Sequence, residues 1–117
     1  MIEKLFNEIE LALQNKISMS VDDFALYVQD YLCDNYDEMY KENAEVTEFL
    51  NEDLPEITDI AEYMNDELNE KFLKELKIEY DKAKKLYYSN RKHNNTIIKF
   101  YCVFLLGINY LLNNIAF

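Results

Sequence analysis

Residues 68–87 read LNEKFLKELKIEYDKAKKLY. Leu68, Phe72, Leu73, Leu76, Tyr80, Ala83 and Tyr87 recur at every third or fourth position, and charged residues fill most of the gaps. That period belongs to an amphipathic α-helix, because strand side chains alternate with a period of two. Lys82, Lys84 and Lys85 fall in the last turns, where the negative end of the helix dipole favours cations.

Upstream the same pattern repeats. Ile2, Leu5, Phe6, Ile9, Ala12, Leu13 and Ile17 form an apolar stripe, so a first helix is expected to fade near Asn15 to Ser18. Ser20 stands three residues before Asp23, an N-cap signature with an acid in the first turn. The second helix carries Phe24, Tyr27, Val28, Tyr31 and Leu32 on one side, and Asp37 to Glu45 reads as a frayed end or loop. A third helix is expected from Ala44 through Val46, Phe49, Leu50 and Leu54. Proline in a helix interior loses a hydrogen bond and clashes with the preceding turn. A break or kink is therefore expected at Asp53-Leu54-Pro55, with Asp53 as a cap and a fresh helix through Ile57, Ile60, Ala61 and Met64. Asn65-Asp66-Glu67 is the next turn.

Downstream, Ser89 to Asn95 is polar and basic and reads as a linker. Phe100 to Phe117 contains no charged residue, and basic residues precede it. A membrane span needs roughly 20 mainly apolar residues. Asn109, Asn113 and Asn114 would be costly in lipid, and Lys99, Cys102, Leu106, Asn109 and Asn113 share one helical face. The expected form is a hydrophobic C-terminal helix packed on protein, with a membrane anchor or a β-prone tail as alternatives. One glycine and one proline in 117 residues argue against a turn-rich β fold. The expected fold class is all-α: a small antiparallel bundle of four helices, the third broken or kinked at Pro55, plus that C-terminal helix. Residues 1–89 form the acidic bundle and 90–117 the basic linker and hydrophobic extension.

Charge is distributed unevenly along this scaffold. All 23 Asp and Glu residues lie at or before Asp81, and the net charge is −11. Residues 20–70 hold 17 acids and one base, Lys41, whereas residues 71–117 hold nine bases and three acids. Concentrated negative charge opposes compaction, so a basic partner outside the fold is the natural beneficiary. Nucleic acid itself would be repelled. Met1-Ile2-Glu3-Lys4 opens directly into an amphipathic helix and not a basic leader, so a cytoplasmic protein is expected. Cys33 and Cys102 are far apart and form no metal-ligand spacing, which suits isolated thiols in a reducing compartment.

Catalytic constellations are missing. His93 is the single histidine and has no Glu three or four residues before it. Ser18, Ser20 and Ser89 lack a nucleophile-elbow setting, and Gly107 alone cannot build a phosphate-cradling loop. Asp34, Asp37 and Glu38 lack the mid-loop glycine of a calcium loop. The expectation is no enzyme, no metal and no cofactor. A surface remains. Asp59, Glu62 and Asp66 are spaced to share one face if the third helix reaches Asp66, Glu67 follows, and Tyr63 sits among them. Acids beside an exposed tyrosine suit a site that pairs with and stacks on Lys or Arg. Asp59, Glu62, Tyr63, Asp66 and Glu67 are therefore the candidate partner-binding residues.

The chain also resembles the colicin-like bacterial self-protective immunity family of the colicin D type. The shared order is a short first helix ending in Lys16-Ile17-Ser18, Val21-Asp22-Asp23-Phe24 opening the second, and Leu54-Pro55-Glu56-Ile57 entering the third. Ala61-Glu62-Tyr63 closes that helix with acids just after, and a mixed-charge last helix follows through Leu86. The resemblance covers residues 1–88 and is one of pattern and order. It implies a small acidic helical bundle that fills the basic active site of a tRNA-cleaving toxin by imitating the charge of RNA. Glu62 corresponds to the family's acid near the end of the third helix, and Asp66 or Glu67 to the acid in the following turn. The chain has Met64-Asn65-Asp66 where the family's turn has a proline, and it adds the extension beyond residue 88.

The expected function is that of an immunity protein or antitoxin occluding a cognate nuclease toxin. Two other readings fit the charge or the tail: a phage-encoded nucleic-acid mimic directed at a host DNA- or RNA-binding effector, and a membrane-tail-anchored adaptor or bacteriocin immunity protein.

Overall fold

The periodic segments become four helices in the computed structural model: α1 (Ile2–Leu13), α2 (Val21–Glu42), α3 (Ala44–Thr58) and α4 (Asp66–Leu106). The structure describes the backbone of residues 1–106 and the side chains of residues 1–89. Among the described residues there is no strand, so the chain is all-α. It divides into two units, Met1–Leu86 and Tyr87–Phe117.

Within the first unit the apolar stripes meet in one core. Ile2, Leu5, Phe6, Ile9 and Ala12 of α1 are buried, as are Phe24, Ala25, Val28, Tyr31, Leu32 and Met39 of α2. α3 adds Val46, Leu50 and Leu54, and α4 adds Phe72, Leu76, Tyr80 and Ala83. α2 packs against α1 and α3. The Phe6 and Tyr80 rings meet edge to face, 5.6 Å between centroids, and the Tyr80 hydroxyl donates to Glu10 Oε2 at 3.0 Å, which joins α1 to α4.

Short capping devices set the joints. Asn15 takes a left-handed conformation (φ 56°), its N–H donates to the Ala12 carbonyl, and the Lys16 N–H donates to the Leu11 carbonyl. This paired arrangement closes α1 as a Schellman motif, with asparagine where glycine is commonest. Ser20 caps α2 through its hydroxyl, which accepts from the Asp23 N–H at 3.3 Å, as its spacing predicts. Asn43 serves two helices. Its N–H donates to the Met39 carbonyl at the end of α2, and its side-chain oxygen accepts from the Val46 N–H at the start of α3.

Three sequence expectations are corrected. Asp37 to Glu42 is helical, not a frayed end: Met39 on this stretch is fully buried, and Glu42 accepts from the Met1 ammonium at 2.8 Å and from the Ile2 N–H at 3.0 Å, which ties the end of α2 to α1. Pro55 does not break α3, which continues to Thr58. Pro55 lies in the last turn and is exposed, as is Asn51, whose carbonyl loses the bond the proline cannot donate. The helix stops at Asp59, so Asp53 caps nothing and no fresh helix spans Ile57 to Met64. Finally, Ser89 to Asn95, read from its composition as a linker, is continuous helical backbone within α4. In the second unit helical backbone extends to Leu106, and the remainder of the expected C-terminal helix, residues 107–117, lies outside the described residues. Among the described residues no helix is long and apolar enough to cross a membrane.

Candidate partner-binding surface

The candidate residues gather on the segment between α3 and α4, residues 59–65, and on the first turn of α4. They do not share one helical face. Because α3 ends at Thr58, the i, i+3, i+7 spacing of Asp59, Glu62 and Asp66 has no geometric meaning. The loop presents Asp59, Glu62 and Tyr63, the first turn of α4 presents Asp66 and Glu67, and all five are exposed.

Polar side chains brace this loop at each end. Asp59 is the C-cap residue of α3, and its Oδ1 accepts from Gln29 Nε2 of α2 at 2.7 Å. That bond ties the start of the loop to the neighbouring helix, but it also occupies one oxygen of the carboxylate. Thr58 is buried, and its hydroxyl donates to the Pro55 carbonyl at 2.9 Å. At the far end, Asn65 Oδ1 accepts from the Leu68 N–H at 3.0 Å, capping α4. Asn69 reaches back from α4, and its Oδ1 accepts from the Glu62 N–H at 3.0 Å.

Glu62 to Asn65 form a tight turn, closed by the Asn65 N–H donating to the Glu62 carbonyl at 3.1 Å. Met64 holds a positive φ of 55°, a conformation that costs a non-glycine residue roughly 1–2 kcal/mol. The turn throws Tyr63 and Met64 outward, 75% and 81% exposed. Two large apolar side chains thus stand at the tip, with Glu62 before them and Asp66 and Glu67 after. Asp66 and Glu67 also have a local cause: they occupy the first turn of α4, where the helix dipole favours negative charge.

Sequence reasoning placed the acids but missed their braces. Asn65 immediately before Asp66-Glu67-Leu68 is a readable N-cap signal, and Ser, Thr, Asp or Asn in that position commonly starts a helix. Gln29 and Asn69 carry no such local signal, because their partners lie 30 and seven residues away.

Elsewhere, Cys33 is an exposed free thiol, whereas the side chains of His93 and Cys102 lie outside the described residues. Among the described residues no group of three or more His, Cys, Asp or Glu is arranged to hold a metal ion. No protein-family model matches this chain, and no curated protein or solved structure matches it either.

Proposed function

We propose that this protein is an inhibitor of the immunity-protein or antitoxin kind, an antiparallel acidic bundle that occludes the basic active site of a nuclease toxin, a tRNase by the resemblance. The observation that carries this reading is the braced loop at the end of α3, which holds Glu62, Asp66 and Glu67 exposed around a protruding Tyr63. Solvent-facing carboxylates with an aromatic among them suit a cleft built to grip phosphates, and a braced backbone loses less ordering entropy when such a surface docks.

The surrounding charge fits the same role. Residues 20–70 contribute a net −16, a field that steers a cationic partner toward the acidic side and accelerates encounter. The association rate should fall steeply as salt rises. On this reading the protein acts in the cytoplasm, where the toxin's RNA substrate lies, and catalyses nothing.

The test is co-purification from the native host followed by a cleavage assay. The expected companion is a basic nuclease whose RNA cleavage stops at one equivalent of this protein. The triple substitution Glu62→Lys, Asp66→Lys, Glu67→Lys should restore cleavage. Unaltered inhibition by that variant would refute the proposal.

A further inference from the structure

A second acidic feature lies in the groove where α3 faces α4, and it meets the loop only at Ile60. It is a cleft of about 370 Å³. Asp53 and Glu56 line it from α3, and Glu75, Glu79 and Lys82 line it from α4. Four carboxyl groups thus surround one ammonium among the described lining residues. Ile57, Ile60 and Ile78 supply apolar wall, and Ile78 is 51% exposed despite its size.

Glu79 sets this cleft apart from an ordinary solvated face. Its side chain is only 4% exposed, and Oε2 has no hydrogen-bond partner. A buried carboxylate without a donor is costly to leave unsatisfied. Burial pushes the Glu79 carboxyl up to about 7, the negative charge of Asp53 adds to the rise, Lys82 pulls it back, and Glu52 adds a smaller push. The site therefore holds more carboxyl groups than Lys82 alone can balance.

Shape and chemistry narrow what could balance the rest. The carboxyl groups are not arranged to hold a metal ion. A lysine or arginine side chain fits better, since it lays an aliphatic stem on apolar surface and keeps its charged head among acceptors. Ile57, Ile60 and Ile78 offer that surface beside the carboxyl groups.

We infer that the α3–α4 cleft is a receptor for one lysine or arginine side chain of the basic protein partner, distinct from the loop that carries Glu62, Asp66 and Glu67. The inference rests on the proposed inhibitor function for the identity of the partner, and it adds a second anchoring point. Filling the cleft with a cation favours ionised Glu79. Near pH 7, where this carboxyl is partly protonated, binding expels a proton to solvent, up to about half a proton per cation bound. Asp53, Glu56 and Glu75 share the attraction, and Lys82 must swing aside or share the acids.

The full chain, with its isoleucine methyl groups labelled, is titrated with a capped tetralysine peptide at about 150 mM salt and pH 7, where long-range attraction is largely screened. Saturable shifts of the Ile57 and Ile78 methyls are expected. Calorimetry in buffers of different ionisation heat should register the released proton. Glu79→Gln should weaken binding about 5-fold or more and abolish proton release, while Asp30→Asn, which removes a carboxylate from the exposed face of α2, should weaken it less than about 2-fold. Methyl shifts in wild-type protein keep the test decisive even if Glu79→Gln folds poorly. Calorimetric binding that leaves the Ile57 and Ile78 methyls unmoved and is lost in the Glu62→Lys, Asp66→Lys, Glu67→Lys variant would overturn the cleft site and leave the inhibitor proposal standing. Saturation of the same methyls by Mg²⁺ alone would make the cleft a metal site and overturn the inference. The absence of saturable peptide binding would overturn it as well, and the nuclease assay judges the inhibitor function independently.

Discussion

The α3–α4 loop and the α3–α4 cleft use the same side chains in opposite ways. On the loop, Glu62, Asp66 and Glu67 stand in water, so their charge costs the fold little and is free to act on a partner. In the cleft, Glu79 is withdrawn from water with one oxygen unpaired, so its charge is held against the interest of the fold. Solvation separates a steering charge from a stored one. Altering the loop should change recognition and spare stability, whereas altering Glu79 should change stability first.

The largest expected effect tests the recognition half. Reversing Glu62, Asp66 and Glu67 to lysine should weaken capture of the nuclease by about 100-fold or more. Thermal unfolding of the same variant should move only slightly, since exposed substitutions act weakly on stability. A large loss of stability would show that the loop acids hold the fold and would erase the contrast.

Next in size is the pH dependence of Glu79. Its folded pKa is raised from 4.5 to about 7, so the protonated form belongs preferentially to the folded state. The sign follows: its contribution is fully present below pH 4.5 and is lost as pH rises to 7. Urea unfolding at pH 5 should therefore give a higher stability than at pH 8, by about 2 kcal/mol from this group. Glu79→Gln should flatten the profile over that window, and an unchanged slope would show that Glu79 is not the group responsible.

Smaller effects probe how firmly the loop is held. Asn65→Ala removes the cap of α4 and should cost about 1 kcal/mol. It should also slow association with the nuclease, because the Glu62–Asn65 turn loses its anchor. Smallest is Met64→Gly. Glycine relieves the positive φ but adds backbone freedom to the unfolded chain, so a net gain of about 0.5 kcal/mol is expected in the same unfolding assay.

Much of the fold was legible because it rests on periodicity. The stripes of α1, α2 and the first half of α4 predict buried residues such as Phe6, Val28 and Leu76, and the Ser20 cap is a local signal. Legibility failed where a distant contact overrides a local rule. Pro55 suggests a broken helix, but in an exposed last turn its missing N–H is cheap. Met39 looks isolated in sequence, but full burial carries α2 six residues beyond Tyr36. The acids of the candidate surface were found by composition, but their arrangement depends on where α3 stops, and no local signal marks Thr58 as its last residue. Glu79 carries a readable signal: it falls three residues after Leu76 and four before Ala83, on the stripe that faces inward.

The protruding Met64 has a practical consequence. Thioethers oxidise to sulfoxides when reagents reach them, and this chain spreads its four methionines across a wide range of accessibility. Mild peroxide should modify Met64 first and spare the fully enclosed Met39, with Met1 and Met19 between them. The protein thus carries its own footprinting reporter at the tip of the loop and an internal standard at Met39. A nuclease seated over Tyr63 should shield Met64 from peroxide while leaving the Met19 signal unaltered, which peptide mass spectrometry can read without any engineered label.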